Sequence, residues 1–117
     1  MTGANSGIGE AAARHLQESG HALTVVCRSR ERAEQSLDWL QDPSQILIAD
    51  LADLIAVKKM VDQLALDGQQ FDVLVLNAGL QYAGVDTPRW SQQGFELTWA
   101  VNHLAVSYTH LTLPTKA

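Results

Sequence analysis

The chain has one cysteine in 117 residues, few aromatic side chains and fewer basic than acidic groups, and each shortage closes off a class of functions. A single Cys27 cannot form an internal disulfide; set in an apolar run, it reads as a buried, unreactive thiol and fits a reducing cytosol. Eight basic against thirteen acidic residues leave a formal net charge of -5, which opposes general attraction to nucleic acid or an anionic membrane. No apolar stretch approaches the roughly 20 residues of a membrane span, and Met1 leads into a glycine-rich turn rather than a charged and then apolar leader. His15, His21, His103 and His110 show no metal-ligand spacing, and Trp39, Trp90 and Trp99 are best assigned to packing. The expectation is a soluble, cytoplasmic protein with no metal, nucleic-acid or membrane partner.

What is present is an ordinary folding composition, 46% hydrophobic and 18% charged with no low-complexity tract, in a length that caps the count at one domain. "TGANSGIG" reads as a turn, and "EAAARHLQES" as a helix closed by Gly20. "HALTVVC" reads as a buried strand, and "SRERAEQSLDWLQ" as a helix capped by Ser29, with Ala33, Leu37 and Leu40 on one face. "QILIA" is a second short apolar run, and Asp53 is placed to cap "LIAVKKMVDQLAL", where Val57, Met60, Val61 and Leu64 recur at helical spacing. "FDVLVLNAG" predicts a further strand, and "GFELTWAVNHLA" a helix with Phe95, Trp99 and Leu104 on one side. Continuously apolar strands alternating with helices predict an α/β fold of the Rossmann type, a doubly wound parallel sheet.

The glycines of the opening turn, Gly3, Gly7 and Gly9, stand where backbone N–H groups and a helix dipole could meet a pyrophosphate. With "DL" at Asp50–Leu51, "NAG" at Asn77–Gly79 and "VNH" at 101–103, this Thr-Gly-x-x-x-Gly-x-Gly motif resembles the classical branch of the short-chain dehydrogenase/reductase family. "VLVLNAGLQYAG" and "GFELTWAVNHLA" look nearest its retinol dehydrogenase-like and protochlorophyllide reductase-like members. The resemblance implies that Gly3, Asn5, Ser6, Ile8 and Gly9 line the cofactor phosphates, with Gly7 allowing close approach. It implies that Asp50 and Leu51 bracket the adenine and that Asn77, Ala78 and Gly79 support the nicotinamide ribose. Asn102 matches the asparagine that orders a water for proton relay. The second strand ends in Arg28, followed by Ser29 and Arg30, with no acid before Glu31, so NADP(H) is expected over NAD(H). The implied activity is hydride transfer on a carbonyl/alcohol pair, with a bulky apolar substrate, in a parent protein that forms homo-oligomers.

Both ends carry expectations of their own. Ser107, Tyr108 and Lys116 are the family's catalytic residue types, but its tyrosine and lysine occur as Tyr-x-x-x-Lys, and here they lie eight apart across Pro114. "VSYTHLTLPT" resembles the translated end of a transposon-based sequencing adapter, so residues 1–105 are expected to be a partial NADP-binding domain and 106–117 a non-native tail, with the helical pattern ending at Ala105. The fragment would then lack its catalytic pair and be inactive. Only Met1 stands where the family has a first strand, so the fold is expected to be truncated at both ends, with the strands flanking that place unpaired and a poorly folding chain. The competing reading is a non-catalytic NADP(H)-binding module that senses redox state; a nucleotide-binding methyltransferase would leave "NAG" and "VNH" without a purpose.

Overall fold

The structure is a computed structural model of the whole chain and describes residues 1–81 and 87–113. The chain divides into two compact units, Met1–Ala49 with Val75–Ala78, and Asp50–Leu74 with Gly79–Ala117.

The first unit is built on a parallel sheet. Helix α1 (Gly7–Glu18) leads to strand β1 (Val25–Cys27), the short helix α2 (Arg30–Ser36) and strand β2 (Ile46–Ile48). Strands β1 and β2 pair in parallel with Val25 opposite Ile46. Thr2 forms parallel bridges to Val26 on one side and Leu76 on the other. Its N–H donates to Val75 O at 3.0 Å, and Val26 N–H donates to Met1 O at 3.0 Å. The strand order β2, β1, Thr2, Leu76 is the order of a doubly wound sheet. It also corrects one expectation: Met1 and Thr2 occupy the place of the first strand, so β1 and the 75–76 segment are not left unpaired there. The predicted strand "FDVLVL" is reduced to isolated bridge positions at Phe71 and Leu76, and Val73 between them is 72% exposed, because strand status needs a continuous ladder.

Ala4, Ala13, Val25, Cys27, Ala33, Leu37 and Leu40 form this unit's core, so Cys27 is buried as expected. Ser29 caps α2 by accepting from Arg32 N–H at 3.3 Å. The helix is shorter than predicted and stops at Ser36, so Leu37 and Leu40 reach the core from the segment after it.

The second unit is helical. Helix α3 (Leu54–Leu66) starts on the Asp53 cap, and it buries Val57, Met60, Val61 and Leu64, the four positions its periodicity picks out. A short helix α4 (Leu97–Trp99) runs through a π-helical turn (Ala100–Leu104) into helix α5 (Ala105–Thr112), which packs on α3. Here one expectation is corrected. The buried residues are Ala100, Val101, Ala105 and Thr109, while Phe95 and Trp99 are exposed; small side chains allow close packing, and reading by apolar bulk picked the wrong face. The backbone stays helical past Ala105 to Thr112, since adding residues to an existing helix is far easier than nucleating one, although the amphipathic period of the sequence is lost there. Among the described residues, no helix is long and apolar enough to cross a membrane.

Candidate cofactor-binding site

In the first unit the phosphate turn is held by the segment after Leu76. Thr2 Oγ1 accepts from Ala78 N–H at 3.0 Å, and Asn77 Nδ2 donates to Gly3 O at 3.2 Å. That approach fixes two of the glycines. A Cβ on Gly9 would lie 1.9 Å from Gly3 O and 2.4 Å from Asn77 Nδ2, and one on Gly3 would lie 2.7 Å from the same nitrogen. Gly3 also has a φ of +69°, whereas Gly7, with a φ of +55°, differs in that a Cβ there would meet no protein atom within 4 Å, so at Gly7 backbone conformation alone selects glycine. Of the three, Gly7 alone faces open space, as close approach of a phosphate requires.

The start of α1 is shaped for an anion. Ser6 stands at the N-cap with extended backbone, yet its side chain makes no capping hydrogen bond. The first N–H groups of an α-helix have no intrahelical acceptor, so here they face outward beside the positive end of the dipole. Ile8, in the first turn, is 86% exposed, an apolar cost that a covering ligand would remove.

Beside this turn lies an open cleft of about 690 Å³, lined by Asn5 and Ser6 of the turn, by Arg28 and Ser29 just before α2, and by Arg32 and Ser36 along it. That volume falls within the usual range for small-molecule sites. Arg28 and Arg32 are exposed, and neither takes part in an ion pair among the described residues. Glu31 also lines the cleft, leaving its formal charge at +1. Sequence reasoning found Arg28 but missed Arg32, and it weighed Arg30, which does not line the cleft. No spacing signal pointed to it, since Arg28 precedes α2, which starts at Arg30, and helical periodicity does not relate the two. Asn5, Ser6, Gly7, Ile8 and Arg28 thus offer donors and uncovered surface that suit a dinucleotide phosphate, whereas Gly3, Gly9, Asn77 and Ala78 build the turn.

The second unit holds the remaining predicted residues. Asp50 Oδ1 accepts from Ala52 N–H at 2.9 Å, which shapes the Asp50–Leu51 turn before α3. Asn102 lies in the π-helical turn, a feature frequent at functional sites. Its Oδ1 accepts from Leu80 N–H and its Nδ2 donates to Leu80 O, both at 2.8 Å. The carboxamide therefore splints the backbone just after Gly79, whose added Cβ would lie 3.4 Å from Asn102 Oδ1. Ser107 and Tyr108 are neighbours in α5, while Pro114 and Lys116 lie outside the described residues. No group of three or more His, Cys, Asp or Glu that could hold a metal occurs among the described residues.

The family model described as short chain dehydrogenase matches residues 1–115. The chain belongs to the short-chain dehydrogenase/reductase family. It is 38% identical over 109 residues to protochlorophyllide reductase A from Arabidopsis thaliana, a match covering 89% of this chain and 27% of that protein. Among solved structures it is similar to a short-chain dehydrogenase/reductase from Brucella melitensis, with a TM-score of 0.74 and 28% identity over 99% of this chain and 51% of the other. An alcohol dehydrogenase from Thermococcus sibiricus complexed with 5-hydroxy-NADP gives a TM-score of 0.71 and 30% identity over 97% and 49%. The chain thus spans about a quarter of the curated relative and about half of each of these structures. These likenesses establish the Rossmann-type fold of that family, near the protochlorophyllide reductase-like branch.

Proposed function

We propose that this chain is the N-terminal, NADP(H)-binding part of an oxidoreductase acting on a carbonyl/alcohol pair with a bulky apolar substrate. The observation that carries the reading is the cleft between the phosphate turn and α2, where Arg28 and Arg32, though Glu31 shares the cleft, take part in no ion pair among the described residues. A 2′-phosphate supplies the charge-assisted, bidentate partner that guanidinium groups favour. Asn5, Ser6 and the N–H groups of Gly7, Ile8 and Gly9 would hold the pyrophosphate, and Asp50 and Leu51 the adenine. Asn77, Ala78 and Gly79 would flank the nicotinamide ribose. When bound, the nicotinamide supplies or accepts a hydride; the protein's part here is to bind and orient it. Asn102 positions the Gly79–Leu80 backbone through its two hydrogen bonds, and its role in proton relay belongs to the parent protein.

Ser107, Tyr108 and Lys116 are not the catalytic set in this reading, so the chain binds cofactor without turnover. Residues 106–117 are a translated adapter, the parent continues from Ala105 into its own catalytic segment, and it works in the cytoplasm as a homo-oligomer. Sequencing the source DNA across the codon for Ala105 tests the tail: a frame reaching Tyr-x-x-x-Lys supports it, and a native gene that reads "VSYTHLTLPTKA" and stops overturns it. Calorimetric titration of the chain tests the cofactor. NADPH should bind at least about tenfold more tightly than NADH, the worth of one good charge-assisted contact. Equal affinities, or no binding of either, would overturn the assignment.

A further inference from the structure

The arginines of the cleft lie on one wall and the phosphate turn on the other, so the gap between α1 and α2 determines whether one ligand can reach both. A set of side chains that do not line the cleft spans that gap. On α1, Glu10 Oε1 accepts from Arg14 Nε at 2.9 Å and from Nη2 at 2.7 Å. The same guanidinium lies over the Trp39 ring, 4.8 Å from its centroid. Trp39 Nε1 donates to the carbonyl of Ser36, the last residue of α2, at 3.0 Å. One turn further along α1, Gln17 Nε2 donates to Trp39 O at 3.2 Å while its Oε1 accepts from Gln41 N–H at 2.9 Å.

Positions 10, 14 and 17 share one face of α1, so a single helix face grips the segment that ends α2. The Gln17 carboxamide bonds two backbone groups as a neighbouring strand would, which fixes the rotation of that segment as well as its place. Apolar contacts of Ala33, Leu37 and Leu40 hold α2 down but are non-directional. With only seven residues, α2 has little stiffness of its own. Arg14, Gln17 and Trp39 do not line the cleft.

We propose that the Gln17 clamp and the Arg14–Trp39 stack are a positioning strut that sets cofactor selectivity, holding Arg28 and Arg32 at 2′-phosphate distance from the turn. The inference rests on the NADP(H) reading above. Because the strut acts on the arginine wall and not on the phosphate turn, its loss should weaken NADPH and spare NADH.

The test is calorimetric titration of the full chain and its variants with NADPH and NADH, alongside thermal unfolding. Gln17→Ala should weaken NADPH about tenfold and change NADH less than about twofold, the scale of losing a well-placed charged contact. Arg14→Ala should weaken NADPH about threefold, and Arg14→Lys, which keeps a cation over the ring, should restore it. If Gln17→Ala does not fold, the Arg14 pair decides, since that side chain is about half exposed. Parallel loss of both affinities in step with the melting temperature would mean a structural role only and overturn the proposal, as would no change in either. Arg28→Ala separates the two ideas. If it leaves the NADPH-to-NADH ratio unmoved, the cofactor reading fails; if it collapses the ratio and the strut variants do not, the strut alone fails.

Discussion

Two helix starts in this chain treat the same problem in opposite ways. At α3, Asp53 accepts from Ile55 N–H at 3.0 Å and is itself held by Gln93, whose Nε2 donates to Asp53 Oδ1 at 2.9 Å and whose Oε1 accepts from Leu54 N–H at 3.1 Å. The N-terminal donors there have protein acceptors. At α1 a serine occupies the capping position without capping, the first turn is glycine-rich, and an isoleucine lies bare beside it. A helix start that closes on itself is a structural joint; one left open, beside arginines that form no ion pair among the described residues, suits an anion. The glycine turn alone would not separate the two cases, since such turns also occur without ligands.

The contrast can be broken most severely at Gly9. Gly9→Ala forces a Cβ into Gly3 O, against backbone rather than a movable side chain, so it should cost about 3 kcal/mol of stability, at the upper end for overpacking. Chemical denaturation checks this, and an unchanged midpoint would mean that the turn is not packed as described. Next comes the arginine wall: Arg28→Ala with Arg32→Ala should reduce NADPH affinity by about 2 kcal/mol or more, while NADH loses little. Asn102→Ala removes two hydrogen bonds to Leu80, and at an exposed site should cost about 1 to 2 kcal/mol of stability.

Gly7→Ala sharpens the comparison with Gly9. It meets no atom, so only the positive φ is penalised, about 1 kcal/mol, yet it should weaken dinucleotide binding in proportion to how closely the phosphate approaches. The smallest effect is at the closed joint. Hydrogen bonds from Gln93 first, and then from the Ile55 and Ala56 N–H groups, hold the Asp53 carboxyl below the usual aspartate range. A depressed native pKa gives stability that is present above the unfolded value and lost as the pH falls through the native one. Asp53→Ala should therefore be less stable than the parent near neutrality, with the difference shrinking once the pH drops below the ordinary aspartate range. Its NADPH affinity should not change.

Much of this was legible residue by residue. Asp53 and the Val57, Met60, Val61, Leu64 face of α3 were readable because one helix supplies both the cap and the period. Ser29, the glycine turn and Arg28 were readable for the same reason, being local signals. The failures were non-local. Gln17 and Trp39 matter through partners up to 24 residues away along the chain, and Arg32 through a cleft it shares with Asn5 and Ser6, which no spacing reveals. The helix through Asn102 was read by its largest apolar side chains, while packing chose the smallest. The "FDVLVL" segment has strand composition, but ladder pairing depends on neighbours that composition does not specify.

The most direct test is to follow backbone amide resonances of the chain as NADPH, and separately NADH, is added. The account predicts large shifts for Gly7, Ile8 and Gly9 with both cofactors, shifts at Arg28 to Arg32 that are much larger with NADPH, and a still Ile55 amide at the capped start of α3. Equal shifts at both helix starts, or an unmoved Gly7–Gly9 turn at saturating NADPH, would contradict it.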